Sequence, residues 1–148
     1  DTIEFKTSAS ELWPGRQIDI FINGDNLIDL VREVELPFAE AEGSPSIAGG
    51  YAGLPSASHL PPSRHFMGQS SNSTRNRSVH LLTCRDCGEH GCWPLVADIL
   101  VEDDTIIWKN FQQPHRSKPE RLWLYDDFGP FVFDRSQYEA ALMAISLR

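Results

Sequence analysis

Ile18, Ile20 and Ile22 alternate with Asp19, Phe21 and Asn23. This period of two limits the fold more than any other feature of the chain. Successive side chains of a strand point to opposite faces, so the three isoleucines share one face of a half-buried strand. Ile3 and Phe5 alternate with Glu4 and Lys6 in the same way, and Trp13-Pro14-Gly15 reads as the turn between the two strands. Residues 95–101 and 105–111 form the clearest hairpin. Both arms are rich in Val, Ile, Leu and Trp, and Glu102-Asp103-Asp104 joins them. Residues 122–125 and 131–133 read as a further pair around Asp126-Asp127-Phe128-Gly129-Pro130, and 79–82 as a short strand leading into a thiol-rich turn. Hairpins of this kind build an antiparallel sheet.

Two helices accompany it. After the Asn23-Gly24-Asp25-Asn26 turn, Leu27, Leu30, Val31 and Val34 recur at helical spacing. Asp29, Arg32, Glu33 and Glu35 fill the other face. The helix is expected over residues 27–36, because Pro37 disfavours helical geometry at the residue before it. The second helix is expected over residues 135–147. Asp134 is a natural N-cap, Gln137 stands where a capping box places it, and Phe133 and Tyr138 occupy the staple positions. Tyr138, Ala141, Leu142 and Ile145 then make one apolar stripe. A chain of 148 residues suits a single domain over 1–148. The fold class is α+β: an antiparallel β-sheet, two packed helices and a long irregular loop. Residues 40–78, rich in Ser, Gly, Pro and Asn, supply that loop. Tyr51, Leu54 and Phe66 are its expected anchors and 69–77 its mobile part.

Twenty-one acidic against thirteen basic residues give a net charge of −8. Phosphate neutralisation needs a basic face, so this balance opposes nucleic-acid binding and suits a protein partner with a basic surface. Arg64, Arg75 and Arg77 sit in the polar loop and read as a solvated stretch. Asn72-Ser73-Thr74 and Asn76-Arg77-Ser78 fit the glycosylation pattern but read as accidents of that loop. No apolar run approaches the roughly 20 residues that span a bilayer, so no membrane contact is expected. Three cysteines are too few and too odd in number for a disulfide framework, which points to a reducing, cytoplasmic setting.

The chemically distinctive run is Cys84-x-x-Cys87-Gly88-Glu89-His90-Gly91-Cys92. Two thiolates two residues apart can grip one tetrahedral ion from a tight turn, and the following glycine tolerates the backbone this needs. Cys84, Cys87 and Cys92, with His90, are the candidate ligands of a structural zinc; His80 and His115 are alternative fourth ligands. Against this, a structural site usually shows a second distant ligand pair. The other readings are reduced cysteines packed as small apolar residues and a redox pair. An iron–sulfur centre lacks its fourth cysteine.

His59 and His65 flank Pro61-Pro62 and read as exposed loop histidines. The Asp103-Asp104 and Asp126-Asp127 pairs read as turn residues. Trp93, Trp108 and Trp123 fit either a groove or the core. Gly49-Gly50 lacks the lysine and spacing of a phosphate loop.

The segment Cys-x-x-Cys-Gly-x-x-Gly-Cys-Trp-Pro-Leu, residues 84–95, resembles one found in a group of small bacterial proteins without an assigned activity. The likeness extends to the early Asn-Gly turn and helix, the Ile107-Trp108 strand and the Phe-rich strand before the last helix. It implies a bacterial, cytoplasmic protein and carries over no catalytic residue. With no convergent catalytic set in the sequence, the expectation is a non-enzymatic binding or interaction protein. The alternative is a metal- or thiol-dependent enzyme with its site at the cysteine cluster and the adjoining long loop.

Overall fold

The computed structural model describes residues 1–12, 14–56, 65–68, 78–86 and 92–146. Trp13, the 69–77 segment, the three loop arginines and the asparagines of both glycosylation patterns lie outside them. Seven strands follow one another in space as β1 (Ile3–Ala9), β2 (Arg16–Ile22), β4 (Tyr51–Pro55), β5 (Ser78–Cys84), β6 (Leu95–Val101), β7 (Thr105–Gln112) and β10 (Phe131–Asp134), each antiparallel to its neighbour. The short β3 (Asp25–Asn26) adds to β2, and β8 (Ser117–Lys118) pairs with β9 (Arg121–Leu122) off the main sheet. Two α-helices, α1 (Leu27–Ala41) and α2 (Arg135–Ser146), pack on it. The architecture is α+β, as the alternation implies. No helix among the described residues is long and apolar enough to cross a membrane.

The sheet is strongly curled. Strands lie about 4.8 Å apart, so β1 and β7, five steps distant in the order, would stand about 24 Å apart in a flat sheet. Yet the Phe5 ring of β1 lies 6.5 Å from the Trp108 ring of β7. Asp1 N donates to Val132 O of β10 at 2.9 Å, and Val132 N donates back to the Asp1 carboxylate at 2.9 Å. The two edges therefore meet. They close over Phe5, Phe66, Trp108 and Phe133, into which α2 inserts Tyr138. Tyr138 is fully buried; its hydroxyl accepts from Trp108 Nε1 at 3.0 Å and donates to Phe66 O at 2.5 Å.

Several local expectations shift. Asp134 caps α2 by accepting from Gln137 N at 3.1 Å, and Phe133 meets Tyr138 at 5.6 Å, as cap and staple require. Gln137 does not close a capping box. Its side chain instead bridges to β1, accepting from Ile3 N and donating to Ile3 O. Helix α1 starts on an Asn26 cap and runs through Pro37 to Ala41 rather than ending at Leu36. Glu35 and Ala39, on either side of Pro37, are both fully buried; that anchoring outweighs the one hydrogen bond proline removes. Within 40–78, β4 is an integral strand between β2 and β5. Gly53 allows it: a Cβ there would lie 2.3 Å from Ile18 O. Residues 122–125 do not pair with 131–133. β10 pairs with β7 instead.

A candidate binding groove beside a buried carboxylate

Leu27, Val31, Glu35 and Ala39 are the buried positions of α1, spaced every four residues along one face. Glu35, expected on the polar face with Asp29, Arg32 and Glu33, is instead the polar member of that buried stripe. Its Oε1 accepts from Gly49 N at 2.8 Å, and its Oε2 from the hydroxyls of Tyr51 at 2.5 Å and Tyr125 at 2.6 Å. Gln113 Nε2, just past β7, donates to the Tyr51 hydroxyl at 3.1 Å and to Pro94 O at 3.0 Å. One carboxyl thus ties α1 to β4, to the end of β7 and to the segment that returns toward β10. Burial pushes the Glu35 carboxyl above its ordinary range, and the donors from Tyr125, Tyr51 and Gly49 only partly offset this. Burial, reinforced by the neighbouring negative charge, raises both phenols well above the usual tyrosine range. Their protons stay committed to Glu35.

Tyr125 and Gln113 also line a groove of about 830 Å³. Its origin is a break in pairing. β10 covers β7 only from Thr105 to Trp108. Beyond that, Asn110 takes a positive φ of 56° and the register with β6 shifts between Asp98 and Val96. A bulge of this kind bends the strand and ends pairing. The opposite wall is the extended segment carrying Leu122, Trp123, Leu124 and Tyr125, in which Trp123 and Tyr125 are buried and the two leucines exposed. Phe111 and Phe128 meet edge to face at 4.8 Å at one end. Asp98, held by Ser78 Oγ and Asn110 Nδ2, contributes charge to the groove with Lys109 and Asp126.

Glu42, at the C-cap of α1, makes the second tie. Arg116 Nε reaches both its oxygens, at 3.1 and 3.0 Å, and Trp123 Nε1 donates to Oε2 at 2.7 Å. The Arg116 guanidinium lies 4.9 Å from the Trp93 ring and 5.5 Å from the Trp123 ring, within cation–π range. His115 stacks on Trp93 at 5.9 Å. Partial desolvation opposes ionisation of Glu42, but hydrogen bonds from Arg116 and Trp123, with the charges of Arg116 and Arg121, hold its carboxyl below the ordinary range.

Apart from Trp123 and Asp126, the residues singled out from sequence fall elsewhere. Cys84 is buried at the end of β5, opposite Tyr51 in the ladder, and Cys92 is exposed in a turn. Cys87 and His90 lie outside the described residues. Among the described residues no group of three His, Cys, Asp or Glu side chains is gathered to hold a metal. His80 is buried in β5, and His115 is exposed in the 3-10 turn Pro114–Arg116. His65 is not an exposed loop histidine. It is buried, with Nε2 2.6 Å from His80 O, because its segment packs inside the curl through Phe66. His59 lies outside the described residues. Trp108 belongs to the core, whereas Trp123 lines the groove. The acidic pairs occupy turns. Glu35, Tyr51, Tyr125 and Gln113 were not apparent as a set. The one signal for Glu35 was its four-residue spacing from Val31 and Ala39.

Comparison with protein-family models, curated proteins and solved structures gives no match.

Proposed function

We propose that this is a non-enzymatic binding protein whose groove beside β7 takes a short basic segment of a partner protein. The observation that carries the reading is the groove itself. Its volume, about 830 Å³, is in the range of small-molecule pockets, about 300 to 1,000 Å³, and so has room for side chains of a docked segment. One wall is braced from behind by the buried Glu35–Tyr125 bond, which ties Tyr125 to α1. Trp123, Phe111 and Phe128 offer aromatic surface, and Asp98 and Asp126 offer negative charge. Arg116 is neutralised by Glu42, which leaves Lys109 as the opposing charge. The net charge of −8 would steer a basic partner toward the protein. The test is calorimetric titration with a Lys/Arg-rich nonapeptide and its Asp/Glu-rich counterpart. Saturable binding of the basic peptide alone, weakened by salt, supports the reading. Equal or absent binding of both contradicts it.

The cysteine cluster belongs to this reading as a structural zinc site on Cys84, Cys87, Cys92 and His90, in a reducing cytoplasm. Cys84 borders Tyr51 and hence the Glu35 network, so a metal there would stiffen the inner end of the groove. Metal analysis of untagged protein tests this: about one zinc per chain with protected thiols supports it. No metal and three reactive thiols would favour the thiol-enzyme reading instead.

A further inference from the structure

The connection from β7 to β10 is the groove's outer wall, and two carboxylates on α1 hold it. Its own secondary structure is a 3-10 turn at Pro114–Arg116 and the two-residue strands β8 and β9, which pair only with each other. At one end, Phe128 and Phe131 pack on Phe111, at 4.8 and 5.7 Å. At the other, Tyr125 is bound to Glu35, while Trp123 and Arg116 are bound to Glu42. Glu35 and Glu42 are seven residues apart, two helical turns or about 10.5 Å along α1. The wall therefore has an aromatic hinge and a polar clamp, with the groove between them.

We propose that the segment between β7 and β10 is a strap, clamped shut by Glu42 on Arg116 and Trp123, and that release of this clamp opens the groove to its ligand. The inference rests on the binding reading for its purpose, but the motion itself does not. The two attachments differ in kind. The hinge is an aromatic cluster in which Phe111 and Phe128 are nearly fully buried. The ion pair of the clamp is partly open to water, with the Glu42 side chain 23% and that of Arg116 13% exposed, while its Trp123 is as buried as the hinge rings. Solvent competes for that ion pair and not for the aromatic contacts of Phe111 and Phe128, so opening starts at the ion pair. A basic ligand segment is suited to trigger it, because its cation competes with Arg116 for Glu42. The Trp93 and Trp123 rings that the guanidinium vacates then become available as apolar surface beside the groove.

The test compares the full chain with Glu42→Gln and Arg116→Lys by hydrogen exchange. Glu42 stands at a helix C-cap and Arg116 in a surface turn, so both variants are expected to fold. Amides of residues 121–125 should exchange about ten-fold faster in either variant, while those of β2 keep their rate. Acrylamide quenching of the Trp123 emission should rise in parallel. Unchanged exchange in the wall, or equal acceleration everywhere, overturns the strap. In a second arm, Trp123→Phe removes one clamp bond without changing the charge of the groove, and the association rate of the basic nonapeptide should rise several-fold in it. A peptide that binds both proteins at one rate although the wall has loosened overturns the gating. A peptide that binds neither defeats the binding reading, while the exchange result still decides the strap.

Discussion

Glu35→Ala removes the acceptor for three buried donors. Tyr51 is 3% and Tyr125 9% exposed, and Gly49 N points into the same interior. An orphaned buried donor costs about 1–3 kcal/mol. Tyr125 lines the groove and can turn toward water, so its cost is small. Tyr51 and Gly49 have no such outlet. Tyr51 retains the donor of Gln113, which cannot accept its proton, and the neighbouring Tyr125 hydroxyl, itself left without its acceptor. Against these two losses stands the relief of no longer burying a carboxyl group, whose raised pKa shows that burial there is costly. The balance is a loss of about 2–4 kcal/mol, a large share of the 5–15 kcal/mol typical of a domain. For a domain of this size that is a fall in Tm of roughly 5–15 °C. Glu35→Gln keeps the shape and one acceptor and should lose about half as much. Urea unfolding followed by tryptophan fluorescence measures both. If Glu35→Ala loses less than about 1 kcal/mol, or gains stability, the carboxyl does not hold the groove wall and the reasoning fails.

Tyr138→Phe strands Trp108 Nε1 and Phe66 O inside the curl, and should lose about 2–4 kcal/mol in the same unfolding assay. Gly53→Ala places a Cβ 2.3 Å from Ile18 O. It should force β2 and β4 apart at about 1–3 kcal/mol, visible as faster exchange of the Ile18 and Leu54 amides. The two glutamates give pH dependences of opposite sign. Glu42 is depressed in the fold, so its contribution is complete above its ordinary value of 4.5 and is lost as pH falls through the folded value. Glu35 is raised, so its contribution is greatest below 4.5 and declines as pH rises through the folded value. Glu35→Gln should therefore flatten the decline on the alkaline side of pH 4.5 in a stability–pH profile, and Glu42→Gln the loss on the acid side.

Much of the sheet is legible in the sequence because half-buried strands write their pattern locally. Ile18, Ile20 and Ile22 are nearly fully buried on one face of β2, and Ile3 and Phe5 pair with Ile22 and Ile20. The last helix is legible for the same reason: Asp134, Phe133 and Tyr138 act within a few residues of one another. What escaped depends on partners distant in sequence. Residues 51–55 hold too few apolar positions to read as a strand, and the value of Gly53 lies in the approach of β2. Glu35 looks like any exposed helical glutamate until Tyr125, ninety residues away, is brought against it. Residues 122–125 read as a strand paired with 131–133, but the partners of Trp123 and Tyr125 are the carboxylates of Glu42 and Glu35 and not a neighbouring strand. The groove exists because of that substitution. The thiol run promised chemistry through its spacing alone. Within the described residues it contributes a buried Cys84 and an exposed Cys92.

The groove is tested most directly by following the backbone amide and tryptophan indole resonances of the isotope-labelled full chain during titration with the basic nonapeptide. Saturable shifts should gather at residues 109–113 and 122–126 and at the Trp123 indole, and salt should weaken them. Shifts that gather instead around the cysteine turn, or scatter over the surface without saturating, would contradict binding at the groove.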